Sequence, residues 1–353
     1  MFTKFVGHYS LKDILAYLFH GNNSLDFIRH HLPQKPIYFY NSGRAALYDI
    51  LLQRKQKSTK KHIIIPGYGC PIVLAVTHYA GFTPLVLDVS PHSLKMDVNE
   101  IIENSRKHDV DSVILIAENG ILYEESELQQ LKKEGLFLIA DHCLSWQNLD
   151  RINTNLTDAE IFSGGFNKPI SGLGFGAMTT NEEMEKFHSK KSIYLLKLLK
   201  TMAFIVIQNP AIYPLFKSEM KKDPDSVFDG KIGLLSLNSA AIVKNSLIKS
   251  EQYKQHWLDL QSQLKSIFEK REISSLVVSF PNYLQGRVLF QKKILKAKNY
   301  YGIHYHQQYK YDILSDERTK TIESDYEGIQ RLKSDYLAMS LNKNSIENKE
   351  KFI

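Results

Sequence analysis

The sequence predicts an α/β protein: a large domain with a mostly parallel sheet flanked by helices, then a smaller C-terminal α+β domain. Three observations carry this. Between Ile37 and about Thr180, short apolar runs rich in β-branched residues alternate with helical patterns, the composition of strands covered on both faces. At 353 residues the chain exceeds one ordinary domain, and an apolar fraction of 43% is enough for a full core. Past residue 250 the alternation gives way to helix, strand and helix.

Taken in order, residues 1–36 read as an N-terminal arm that packs on the main domain. It carries amphipathic helices over 11–19 and 24–31, with Ser10 and Ser24 as caps and Pro33 and Pro36 closing it. The large domain covers 37–250, with strands at 37–40, 62–65, 84–87, 112–116, 136–140, 160–162 and 175–178. An apolar, lysine-flanked insertion occupies about 190–222. Its centre, 194–216, is interrupted by Lys197, Lys200, Asn209, Pro210 and Pro214, so it does not span a bilayer. It reads either as a partly buried helix with a proline-rich turn or as a segment touching an anionic membrane surface. A polar linker at 223–229 and a helix over 234–247 follow. The small domain, 251–340, is read as a helix over 252–270, a strand over 274–280 and a helix over 287–298. The polar stretch 341–353 is expected to be a disordered tail.

A formal net charge of +7 and a pI near 9.0 favour anionic partners. The basic residues are scattered, and no arginine-rich or aromatic-basic motif points to nucleic acid. The two cysteines, Cys70 and Cys143, fall in strand-to-helix turns; neither a structural disulfide nor a zinc set is expected. The N-terminus lacks the pattern of a signal peptide, so the expected location is cytoplasmic. His304 and His306 have no carboxylate or thiol at ligand spacing, and no metal site is expected.

Chemistry concentrates around Lys168. It follows an apolar strand that ends in Ser163 and precedes the glycine-rich turn Ser171-Gly172-Leu173-Gly174, a place where a buried amine can hold a cofactor as a Schiff base. Burial near a cationic cofactor should depress that amine so that it also serves as a base. Upstream, Leu136-Phe137-Leu138-Ile139-Ala140 ends in Asp141, and Ser42-Gly43-Arg44-Ala45-Ala46-Leu47 opens a helix. Pyridoxal phosphate (PLP) needs such a set: a lysine, a carboxylate facing the pyridinium nitrogen, and donors for the phosphate. Gly43, Arg44 and Ala45 would offer backbone N–H groups at a positive helix end, and Ser163 a hydroxyl. The Arg44 side chain either pairs the phosphate or points to solvent. Taken singly, Asp141 is equally a strand-end cap and Ser163 an ordinary strand serine.

In order and spacing these elements resemble the DegT-type sugar-nucleotide aminotransferases, PLP-dependent transferases of fold type I. The likeness spans about residues 37–250. It rests on Ser42 to Leu47, the proline-led segment Pro66-Gly67-Tyr68-Gly69-Cys70-Pro71, the strand Gly81 to Asp88, Ala140-Asp141-His142, and Phe162-Ser163 to Lys168. The resemblance implies an aminotransferase that moves an amino group, with L-glutamate as donor, to a keto-sugar nucleotide in polysaccharide or related biosynthesis. It also implies a homodimer with the site at the subunit interface. Three positions depart from the pattern. The stacking aromatic falls at Cys70, which leaves Tyr68 or His142 to cover the ring, or the stacking weak. The family's Gln or His three after the Asp is Leu144. Its Asn-Tyr-Arg segment aligns with Ile232-Gly233-Leu234, where Lys231 and Asn238 stand as substitutes. These departures admit a second reading, a catalytically degenerate scaffold that binds a partner or membrane surface. A sugar dehydratase is opposed by Lys168, because that branch of the family carries His there.

Overall fold

The computed structural model describes residues 10–19, 23–151, 154–165, 168–184, 199, 202–203, 205, 230–233, 235–270, 287–291, 313–322 and 325–340. Its strands are β1 (Ile37–Tyr40), β2 (His62–Pro66), β3 (Thr83–Leu87), β4 (Val110–Ile116), β5 (Phe137–Asp141), β6 (Ala159–Ser163), β7 (Gly176–Thr180), β8 (Arg287–Gln291), β9 (Lys320–Thr321) and β10 (Tyr336–Ser340). The helices are α1 (Leu11–Leu18), α2 (Ser24–His30), α3 (Gly43–Lys57), α4 (Pro71–Tyr79), α5 (Val98–Lys107), α6 (Glu125–Lys133), α7 (Leu237–Lys270) and α8 (Glu327–Asp335).

Eight strands form one sheet in the order β1-β7-β6-β5-β4-β2-β3-β9. From β6 to β9 every pairing is parallel, whereas β7 runs antiparallel to both β6 and β1. The carboxyl ends of β1, β6, β5, β4, β2 and β3 therefore share one edge, the place where open α/β sheets present ligand sites. Helices cover both faces. Ile63, Ile64, Leu85, Ile114 and Ile139 are fully buried in the main cluster, each such side chain contributing about 1.5–3 kcal/mol relative to exposure. On the other face Trp146, Phe162 and Phe175 pack with Ile28 of α2 and Val243 of α7.

Helices α1 and α2 dock on α7. Asp13, 1% exposed, receives Lys249 at 2.7 Å and the Ser10 backbone N–H at 2.8 Å. The Ser24 cap is not found: Asn23 precedes α2 and Ser24 lies inside it. The two helical patterns 234–247 and 252–270 are one helix, α7, since Ile248-Lys249-Ser250-Glu251 contains neither Pro nor Gly to break it. Residues 287–291 are a strand, not the predicted helix. Val288, Leu289 and Phe290 suit a strand as well as a helix, and antiparallel pairing with β10 supplies the deciding hydrogen bonds. Ile313, Tyr326, Ile329 and Leu332 join the main core cluster, and Asp88 at the end of β3 caps α8 by accepting from the N–H groups of Gly328 and Ile329, each at 2.8 Å. The strand read at 274–280, the linker, the tail and the pair His304 and His306 lie outside the described residues, as does most of 194–216.

Candidate active site

Register places the first part of the site. Gly176 pairs with Tyr40 on one side and with Ser163 on the other, so the start of β7 bridges the ends of β1 and β6. A Cβ on Gly176 would stand 2.2 Å from the Ser42 backbone. Only a residue without a side chain lets the turn into α3 come this close. The N-terminus of α3 is thereby pressed against Ser163, and Ser42 caps it by accepting from the Ala45 N–H at 3.3 Å. A Cβ on Gly43 would meet Ser163 Cβ at 2.8 Å, Cys143 Sγ at 3.1 Å and Ser163 Oγ at 3.3 Å. Gly43, Ser163 and Cys143 thus share one small space at a helix N-terminus, where dipole and N–H groups favour an anion.

Lys168 enters the same space. Its backbone N–H donates to the Gly165 carbonyl at 3.3 Å, and Ser171 Oγ donates to the Lys168 carbonyl at 2.7 Å, which pins the turn that carries it. A Cβ on Gly165 would touch Lys168 Cγ at 3.3 Å and Ser163 Oγ at 3.4 Å, so lysine and serine lie side by side. Asp141, the last residue of β5, accepts from the Cys143 N–H at 2.9 Å. Its own carbonyl accepts from Ala117 N–H at 3.0 Å, which sets the end of β4 beside it. Glu118 follows there, 1% exposed, in a turn where Asn119 has φ +55° and Gly120 φ +94°. Cys70, the residue preceding α4, completes the group from the β2 side.

The charges agree with this convergence. Burial alone would lower the Lys168 amine, but Cys143, Cys70, Asp141 and Glu118 together raise it above its usual value. The depressed amine that the sequence reading expects is one beside a cationic cofactor; in the protein without that cation the neighbouring acidic groups outweigh burial. Burial raises both thiols, with Asp141 adding to the rise at each. Cys143 and Cys70 act on the amine only where they ionise, above the ordinary thiol range, and below it Asp141 and Glu118 are the negative groups that oppose burial.

Not every candidate comes together. His142 faces the opposite side of β5 from Asp141: it stacks on Phe162 with ring centroids 5.6 Å apart, and its Nδ1 lies 2.9 Å from Ser145 Oγ. Burial, aided by Lys35, pushes it down to about 3. It does not cover a ring bound beside Lys168. Tyr68, 3% exposed, packs in the main core. Arg44 is exposed, and Ala45 is fully buried behind the helix N-terminus. Asn238, named as a substitute for a phosphate donor, is 1% exposed and spends its amide on the Tyr17 carbonyl at 2.6 Å. Glu118 and Cys143 are the members that sequence reasoning missed. Glu118 follows an apolar strand as Asp141 does, and that shared signal identifies it.

Comparison with known proteins follows this geometry. No protein-family model matches the sequence, and no curated protein matches it. Solved structures do match along nearly the whole chain. A DegT DnrJ EryC1 StrS aminotransferase from Brucella abortus superposes with a TM-score of 0.68 at 17% identity, over 97% of this chain and 94% of that one. The fold is that of the type I PLP-dependent transferases. PseC of Helicobacter pylori, an aminotransferase involved in the biosynthesis of pseudoaminic acid, matches with a TM-score of 0.67 at 18% identity, over 99% of both chains. The E. coli GDP-4-keto-6-deoxy-D-mannose-3-dehydratase with bound hydrated PLP matches with a TM-score of 0.69 at 11% identity, over 100% of both. The same fold is thus found in aminotransferases and in a dehydratase.

Proposed function

We propose that the protein is a PLP-dependent aminotransferase that moves an amino group from L-glutamate to a keto-sugar nucleotide in polysaccharide or related biosynthesis. The observation that carries the reading is the convergence of Lys168, Asp141, Ser163 and the α3 N-terminus at one strand-end edge of the sheet. The residues fit the cofactor by type, and Gly43, Gly165 and Gly176 let the α3 N-terminus, Ser163 and Lys168 approach one another closely enough to act on one ligand. When bound, PLP supplies the electron sink. Lys168 would hold the cofactor and, as a free amine, would be the base that takes the proton from the nitrogen-bearing carbon of the substrate and returns it. Asp141 would keep the ring nitrogen protonated by its charge. Gly43 and Ser163 would hold the phosphate. Lysine at 168 favours transamination over the dehydratase outcome.

A homodimer with the site at the subunit interface, and a cytoplasmic location, belong to the same reading. No helix among the described residues is long and apolar enough to cross a membrane. Peripheral contact of 194–216 with an anionic surface is part of the proposal, supported by the exposed side chains of Leu199 and Met202. The half-reaction tests the function. Protein loaded with PLP and mixed with L-glutamate should release one 2-oxoglutarate per site and gain the amine on its cofactor. Failure to turn over with any of a panel of amino acids, in protein that holds PLP on Lys168, would leave the scaffold reading standing instead.

A further inference from the structure

Helix α1 wears its amphipathic pattern inside out. Leu11, Leu15 and Phe19 recur at every fourth residue and so share one face. That face is open: the three residues are 71%, 55% and 77% exposed. The buried face is the one that carries charge. Asp13 there accepts from Lys249 at 2.7 Å and from the Ser10 hydroxyl at 2.8 Å, and the Tyr17 carbonyl accepts from Asn238 at 2.6 Å. These bonds fix the helix in a pose that leaves its apolar side uncovered, where a helix free to roll would bury leucine and expose aspartate. The apolar surface continues beyond α1. Ile205 packs against Tyr17, Leu173 and Ile242, and Leu199 and Met202, one and two helical turns before it, are exposed.

Charge selects what covers this face. Lys12 is exposed on α1 itself. Residues 1–12 hold Lys4 and Lys12 and no acid, and residues 186–218 hold six lysines and no acid. A two-fold contact between copies of this chain would set the patch against itself, lysine toward lysine. An anionic lipid surface complements the apolar side chains and the charge together. We infer that the outer face of α1 docks the protein on an anionic bilayer, with Leu11, Leu15 and Phe19 entering the headgroup boundary. The inference rests on the peripheral contact proposed above for 194–216 and adds to it a helix held rigidly with its apolar side outward. Because Asp13 and Lys249 already hold that pose, docking needs no rearrangement of the arm.

Vesicle co-sedimentation of the full-length protein tests this. Vesicles of phosphatidylcholine and phosphatidylglycerol should pellet the wild type at low salt and release it at about 1 M NaCl, where charges are screened beyond about 3 Å. Vesicles of phosphatidylcholine alone should not hold it. The double variant Leu15→Glu, Phe19→Glu should bind the anionic vesicles about tenfold or more weakly and melt as the wild type does, since both positions are exposed. Undiminished binding by that variant overturns the inference; if Leu199→Glu, Met202→Glu loses binding instead, the contact through 194–216 stands without α1. Loss in the α1 variant alone supports the inference and removes 194–216 from the contact. A wild type that does not pellet overturns both, and a fall from dimer to monomer in the α1 variant, seen with it, gives the face to a second copy. Should the α1 variant melt well below the wild type, Phe19→Trp decides. Brominated lipid in the anionic vesicles should quench its emission beyond the quenching of Trp146 and Trp257 in the wild type, and no added quenching contradicts the docking.

Discussion

Gly43→Ala is the smallest change that reaches the heart of the site. At an ordinary helix position this substitution stabilises by about 0.5–1 kcal/mol, because alanine loses less backbone entropy. Here the sign should reverse. The added methyl would stand 2.8 Å from Ser163 Cβ and 3.1 Å from Cys143 Sγ, whereas carbon atoms in contact prefer about 3.5–4.0 Å. The crowd must open by roughly 1 Å. Ser163 Cβ cannot swing away, since it is fixed to β6 by the Gly176 pairing, so the N-terminus of α3 has to move. Overpacking of this kind costs about 1–3 kcal/mol. Borne by the phosphate cup, that becomes a weakening of PLP binding by about 5- to 150-fold. Fluorescence or absorbance titration of stripped protein with PLP measures the dissociation constant, and a thermal melt measures the fold. A variant that binds PLP within twofold of wild type and melts no lower would refute the placement of Gly43 against Ser163.

Gly176→Ala should be harsher, because its Cβ would meet the Ser42 backbone at 2.2 Å; loss of several kcal/mol in a denaturant titration is expected, and near-normal stability would show that the β1 and β6 ends are not bridged this closely. Asp141→Asn should retain PLP but lose roughly a hundredfold or more in the glutamate half-reaction, as removal of a few kcal/mol from the transition state implies; a near-normal rate would remove Asp141 from the ring nitrogen. His142 gives a pH prediction. Its folded-state value, about 3, lies below the ordinary 6.5, so the unfolded chain binds the proton first and stability falls as pH drops below about 6.5, by up to about 1.4 kcal/mol per pH unit. Melting temperatures between pH 7 and pH 4.5 should fall less steeply in His142→Gln, and parallel slopes would contradict the buried neutral imidazole.

Much of this fold is legible without coordinates, and the reasons differ by element. Strands β2 to β6 announce themselves because a strand buried on both faces has to be apolar at nearly every position, as Val113-Ile114-Leu115-Ile116 is. Asp141 and Ser163 stand out because a polar residue closing such a run lies at the sheet edge where ligands bind. Strand order is another matter. That β1 and β7 join at the β6 side follows from pairings between distant segments, and no local pattern encodes them. Residues 287–291 read as helix for the same reason: Val288, Leu289 and Phe290 suit either element, and only the pairing with β10 makes them a strand. His142 and Asp141 are adjacent in sequence yet serve opposite faces, one stacked on Phe162 and one at the pocket. The charge of Lys168 in the protein without cofactor is not legible in sequence. Burial is visible in the pattern around it, but the carboxylates and thiols that outweigh burial come from three other strand ends.

The central claim is that Lys168 binds PLP covalently, and reduction tests it most directly. Purified protein incubated with PLP, treated with borohydride and digested should carry the pyridoxyl mass on the Lys168 peptide and nowhere else, with the near-visible absorbance band lost in step. Lys168→Ala should show neither the band nor the adduct while melting as the wild type does. A protein that binds PLP reversibly, with no adduct at Lys168 after reduction, would contradict the account.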